Sequence, residues 1–177
     1  MKLPGYSRVF TLLLIASTCG AQTNPVRSTE PTSKPGFSIR VVLPVAPFKI
    51  GEPAVVTVIV KNNTNHNILW NSLLSTSKDA PYLCCQFLLE LNGKEVETTY
   101  FHRYITGRQK PGDPVKVLSG SYILLPKPPG PMFRMKIDLA RLYKITAPGN
   151  YTLHVSRYDD FSRTTVHAIA VTIAIRK

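Results

Sequence analysis

The sequence predicts an all-β fold, an Ig-like antiparallel β-sandwich of about eight or nine strands. Three observations carry that expectation. Apolar residues recur at every second position from Gly36 to the end, turn-forming clusters separate those runs, and a helical period is suggested only at Leu139–Tyr143 after the N-terminal segment. The 177 residues, 44% of them apolar, with 15 Pro and 10 Gly, suit one globular domain and exclude a collagen-like repeat or a coiled coil.

The first residues stand apart from that domain. Lys2 and Arg8 precede the apolar run Val9–Ala16, and the small residues Cys19, Gly20 and Ala21 follow. A basic start, a short apolar stretch and a small-residue end describe a secretory signal over 1–21, cleaved after Ala21. The run is shorter than the roughly 20 residues a membrane span needs, and no second long apolar run follows it. A lipidated Cys19 is the competing reading. It fits less well, because Thr18 stands where Gly or Ala is expected. Residues 22–35 hold three prolines and one other apolar side chain, Val26, too little to offset chain entropy, and are expected to be a disordered linker. Cleavage lowers the formal charge from +12 to +10. The folded domain is expected over 36–177.

Within it, Phe37, Ile39, Val41 and Leu43 alternate with Ser38, Arg40 and Val42, and Ala54–Lys61 is apolar on both faces, as a central strand would be. Asn62–Asn65 makes a turn. Asn67–Trp70 is a short strand whose tryptophan, the single one in the chain, fills core, and 71–80 reads as a polar loop. Asn92-Gly93 between Tyr82–Leu91 and Lys94–Tyr100 is the strongest hairpin signal. A two-residue turn pairs Leu91 with Lys94, Leu89 with Val96, Phe87 with Thr98 and Cys85 with Tyr100, and sets Glu90 opposite Glu95 with Glu97 nearby. Residues 101–114 read as a long loop, Val115–Leu125 as a strand, and the proline-rich 126–131 as extended chain. Phe133, Met135, Ile137 and Leu139 alternate in a further strand, and Leu139–Tyr143 suggests one helical turn. A last hairpin aligning Val155 with His167, Leu153 with Ile169 and Tyr151 with Val171 keeps one apolar face continuous over Thr164–Ile175.

Three stretches carry a family likeness. Phe48-Lys49-Ile50-Gly51-Glu52-Pro53 with the strand ending Lys61-Asn62-Asn63-Thr64, then Leu89–Val96, then Ala147–Val155, resemble Ig-like sandwiches of secreted bacterial proteins. In the same order they resemble the intracellular proteinase inhibitor (BsuPI-like) domain, over about residues 37–158. The resemblance implies the fold. It transfers no inhibitory residue, and the secretory signal departs from an intracellular inhibitor.

Candidate chemistry is sparse. Cys84 and Cys85, adjacent on a strand, are expected on opposite faces, Cys85 inward; two reduced thiols, a vicinal disulfide and an intermolecular bond through Cys84 are the three readings. His66, His102, His154 and His167 show no ligand spacing, and His167 is expected on the core face. Asp159-Asp160 with Ser162 reads as a polar hairpin tip rather than a cation site, so no metal or cofactor is expected. Asn62-Asn63-Thr64 and Asn150-Tyr151-Thr152 match glycosylation acceptors and read as turns. No nucleophile elbow or phosphate-cradling loop is present, which argues against an enzyme.

The expected function is binding. Candidate contact surfaces are loop 101–114, with Phe101, His102, Arg103, Tyr104, Arg108 and Lys110; loop 126–131; and the acidic hairpin face of Glu90, Glu95 and Glu97. Arg134, Lys136, Arg141 and Lys144 form a second basic series. A protein or an anionic polysaccharide is the expected partner, and export disfavours nucleic acid. A secreted proteinase inhibitor and a lipid-tethered cell-envelope component are the alternatives, with a secreted or periplasmic location in the first two cases. No motif speaks to oligomeric state.

Overall fold

The computed structural model describes residues 34–74, 79–114 and 121–177, with the side chains of 71–74 and 121–123 left aside. The expected signal, the expected linker up to residue 33, Cys19, and residues 75–78 and 115–120 lie outside the described residues. The fold is all-β. Eleven strands are present among the described residues: β1 Phe37–Val42, β2 Phe48–Lys49, β3 Val55–Asn62, β4 Ile68–Leu74, β5 Gln86–Leu91, β6 Lys94–Glu95, β7 Ser121–Lys127, β8 Gly130–Asp138, β9 Gly149–Asp159, β10 Thr164–His167 and β11 Val171–Arg176. Two short helices, α1 Tyr100–Ile105 and α2 Leu139–Leu142, and a 3₁₀ turn at Ala80–Leu83 complete it.

One sheet has the order β1-β3-β8, and β3 is its centre as its two-sided apolar sequence predicts. The facing sheet runs β2-β11-β9-β5-β6, with β10 continuing beside the far half of β9. Strands β4 and β7 form a separate antiparallel ribbon. The strand interval of 3.2–3.4 Å per residue sends alternate side chains to opposite faces. Phe37, Ile39, Val56, Val58, Val60, Met135 and Ile137 therefore meet Phe87, Leu89, Tyr151, Leu153, Val155, Ile173 and Ile175 in one buried core. All pairings are antiparallel except that β2 runs parallel to β11, with Phe48 opposite Ile175.

Four sequence expectations need correction. The hairpin at Asn92-Gly93 exists, with both residues at positive φ (54° and 73°) and Leu91 opposite Lys94, but its strands are shorter than expected. Pro81 lies in the first turn of the 3₁₀ segment, so residues 82–85 do not extend β5. After Val96, whose amide still donates to Leu89 O at 2.8 Å, the chain turns away, and Thr98 bridges Tyr143 rather than Phe87. The phenol of Tyr143 donates to Phe87 O at 2.6 Å, so the carbonyl the missing strand would have served is satisfied by a side chain.

Residues 101–114 do not form a loop throughout. Thr99 caps α1, its Oγ1 accepting from His102 N at 3.2 Å. At the other end Gly107 (φ 68°) stops it: Arg108 N donates to Arg103 O at 2.8 Å and Gly107 N to Tyr104 O at 3.3 Å, a Schellman arrangement. The polar loop expected over 71–80 begins later, because β4 runs to Leu74.

The last hairpin departs from the expected register by one residue along β10 and by two along β11. His167 pairs with Ser156, not Val155, and Val171 with Leu153, so Ala168–Ala170 holds an extra residue and splits the expected single strand into β10 and β11. A one-residue shift exchanges faces. Hence Val166 is buried while His167, expected in the core, is exposed.

Candidate functional site

The acidic hairpin face is only partly assembled. Glu90 and Glu95 are direct cross-strand partners, as the turn dictates. His154, from β9, places Nε2 3.4 Å from Glu90 Oε2. Glu97 is drawn elsewhere: Lys144 Nζ lies 2.7 Å from its Oε1, and this hydrogen bond holds the carboxyl below its usual range. Three acids adjacent in sequence thus face two different neighbours.

The basic segment around α1 is largely turned inward. Arg103 forms a two-pronged pair with Asp113, Nε to Oδ2 at 2.8 Å and Nη2 to Oδ1 at 2.6 Å, and also donates to Thr98 O at 2.8 Å. These bonds hold the Asp113 carboxyl down at about 2 and fasten 106–114 back onto the helix. Phe101 meets Tyr82 edge-on at 5.2 Å, and the Arg141 guanidinium, paired to Asp79 at 2.8 Å, lies 4.2 Å above its ring. His102 is buried against Tyr143, its rings 5.0 Å apart. Burial, with Arg108 adding to it, keeps its imidazole below the ordinary value. Tyr104 stacks on Tyr100 at 6.1 Å. Arg108 and Lys110 are exposed. Of the six loop residues singled out from sequence, Phe101, His102, Arg103 and Tyr104 are therefore engaged with the domain itself.

Cys84 and Cys85 are free cysteines in the structure, with no bond between them. Cys84 caps the 3₁₀ turn in helical backbone geometry (φ −77°), and Cys85 is buried as expected. The hydrogen bond between the two thiols holds Cys84 below its ordinary value and pushes Cys85 up, burial adding to the second effect. Among the described residues no three His, Cys, Asp or Glu side chains converge to hold a metal ion.

The best-formed concavity was not anticipated. A cleft of about 350 Å³ opens at one end of the sandwich, between the β9–β10 turn, the start of β1 and the entry to β4. Its floor is apolar: Trp70 is buried, 5.0 Å edge-on from Phe37 and 5.2 Å from Phe133. Arg157 lies flat above the indole at 4.0 Å and donates to Cys84 O, so its charge is tied to the wall. The rim exposes Leu69, Tyr158 and Phe161, the last at 61%.

Both rims are held by polar locks. On one side Asp159, buried, accepts from Phe161 N at 3.2 Å and Ser162 Oγ at 2.7 Å, and Ser162 reaches Thr164 at 2.7 Å. That is the polar hairpin tip read from sequence, with its acid facing in. On the other, buried Asn62 donates to His66 O (2.8 Å) and Lys127 O (3.0 Å) and accepts from Thr64 N (2.8 Å) and Thr64 Oγ1 (2.7 Å). Asn62 is the last residue of β3 rather than a turn residue, and is thereby enclosed rather than presented as a glycosylation acceptor, whereas Asn150, in β9, is exposed.

Fold and site together define an all-β protein with an aromatic-rimmed cleft at one end of its sandwich. No protein-family model matches the chain, and no curated protein matches it. No helix among the described residues is long and apolar enough to cross a membrane.

Proposed function

We propose that the protein is an exported, non-enzymatic Ig-like module that binds a partner by seating an apolar or aromatic group in the cleft over Trp70. The cleft carries this reading. Its volume falls in the range of ligand sites, its floor is apolar, and three large apolar side chains, Leu69, Tyr158 and Phe161, gather exposed at its mouth. Rims locked by Asp159 and Asn62 hold it preformed, which limits the ordering cost of binding.

The basic, apolar and small-residue segments of 1–21 support export. The Ig-like reading is supported by Tyr151, near the start of β9, whose phenol donates back to Ala147 O at 2.6 Å, the arrangement of a tyrosine corner.

Trp70, the single tryptophan, is a built-in reporter. Titration with aromatic amino-acid amides and aryl glycosides is expected to change its fluorescence saturably, and Tyr158→Ala with Phe161→Ala to weaken the response at least about tenfold, two exposed aromatic contacts being lost. A photo-crosslinking residue at position 161 is expected to capture a discrete partner in the native host. A silent Trp70 together with no crosslink from position 161 overturns the proposal; stoichiometric slowing of a co-secreted protease through the same rim makes the module an inhibitor.

A further inference from the structure

The outer face of the β1-β3-β8 sheet is a second surface, independent of the cleft. Register decides its composition. Arg40 on β1 and Arg134 on β8 both pair with Ile59 of β3, from opposite sides. Lys61 lies two residues along β3, beside Ser38, and Lys136 two residues along β8, beside Thr57. All four cations are exposed and share the outward side with half-buried Val42, Val55, Thr57 and Ile59. Strand spacing sets the backbones of Arg40 and Arg134 roughly 9.6 Å apart and those of Arg134 and Lys136 roughly 6.8 Å apart.

These charges are uncompensated. Among the described residues none of the four stands in a salt bridge. The one acid on the face, Asp138, is occupied in accepting from Ala54 N and Ala140 N, both at 3.0 Å. Charges on sheet edges are a common guard against strand addition, which would account for Arg40, Arg134 and Lys136. That explanation fails for Lys61, which is on the central strand with a neighbour on each side.

We infer that this face docks on an anionic lipid surface. Three of the cations surround Ile59 from three strands and the fourth extends the group along β8, so the charges spread over an area rather than following one line. An area of cations complements a plane of headgroups better than a single polymer chain. No aromatic side chain lies among the outward-facing residues of this sheet to stack on a base or a sugar ring, unlike the usual single-strand nucleic-acid platform.

The test is sedimentation of the full-length chain with phosphatidylcholine vesicles, with and without phosphatidylglycerol. The apolar N-terminal run is common to both vesicles, and its neighbours Lys2 and Arg8 are changed to Gln in the parent and in every variant, so the difference reads the sheet face. Added phosphatidylglycerol is expected to raise the bound fraction in low salt and to lose that effect in high salt. Each of Arg40→Gln, Lys61→Gln, Arg134→Gln and Lys136→Gln is expected to weaken the increment about fivefold, and the four together to abolish it. A control with Lys49, Lys94, Arg108 and Arg176 changed to Gln carries the same net charge and is expected to keep it. Should the fourfold variant not fold, Arg134→Gln with Lys136→Gln alone gives the partial loss. No increment with phosphatidylglycerol, an equal loss in the control, or tighter retention by a soluble acidic polysaccharide than by vesicles overturns the inference; the last outcome assigns the face to a polysaccharide.

Discussion

The helix-bearing end of the sandwich and the outer face of the β1-β3-β8 sheet carry similar positive charge in opposite ways. At the helical end three cations have tasks within the domain: Arg103 holds Asp113, Arg141 holds Asp79 and lies over Phe101, and Lys144 holds Glu97, while Arg108 and Lys110 are exposed. On the sheet face Arg40, Lys61, Arg134 and Lys136 belong to three strands, and the neighbouring acid is already committed. Charges crowded along the chain are used in folding, and charges gathered by register are left for the surroundings. The sequence series Arg134, Lys136, Arg141 and Lys144 divides across that boundary, two residues to each side.

Perturbations at the helical end should therefore cost stability, and matching ones on the sheet face should not. The largest effect is expected for Tyr143→Phe, which leaves the buried Phe87 carbonyl without its partner and destabilises by about 1–3 kcal/mol in urea unfolding. Next, Arg103→Ala should lower Tm by several degrees because Asp113 and Thr98 lose their shared donor. Arg134→Ala should stay within about 0.5 kcal/mol of the parent. Equal losses for the two arginines would erase the contrast between the regions.

Acidity sharpens the comparison further. The Asp113 carboxyl at about 2 is depressed below the ordinary carboxylate. Its contribution is complete above a pH of about 3.9 and is lost as pH falls through the folded value. Asp113→Asn should flatten the acid limb of a Tm-against-pH curve in that window. His102 is also depressed, by burial, so the unfolded chain takes up a proton that the folded one resists. Stability should fall as pH drops below about 6.5, and His102→Phe, which keeps a ring against Tyr143, should remove that slope. A small change of the opposite sign is expected for Glu95→Gln: relieving its direct contact with Glu90 should raise stability by about 0.2–1 kcal/mol.

Much of the fold was legible where one rule dominated. β3, β8 and β9 follow their alternation, Asn92-Gly93 forces the turn between β5 and β6, and Leu139–Leu142 makes the single helical turn expected there. What escaped the sequence reading depended on competition between local signals or on distant chain. Thr99 and Gly107 were helix-end signals in plain view, outweighed by the polar run between and after them. The register of the last hairpin turned on the four-residue turn between Asp159 and Thr164 and on one extra residue at Ala168–Ala170, neither of which alternation alone reports. Tyr158 and Phe161 beside a polar hairpin tip were the available hint of the cleft; its other wall, near Trp70 and Asn62, comes from much earlier in the sequence. The outer sheet face required knowing that β1 and β8 flank β3.

The place of β11 bears on how the molecule comes into being. The last strand in the chain lies inside its sheet, between β9 and β2, with Ile173 and Ile175 in the core. Until residues 171–176 have left the ribosome, β9 lacks one neighbour, β2 has no partner, and the core lacks Ile173 and Ile175. Contacts that join early and late chain form slowly. Closure of the core therefore joins β11 to β2 and β9, chain segments more than 100 and about 20 residues earlier.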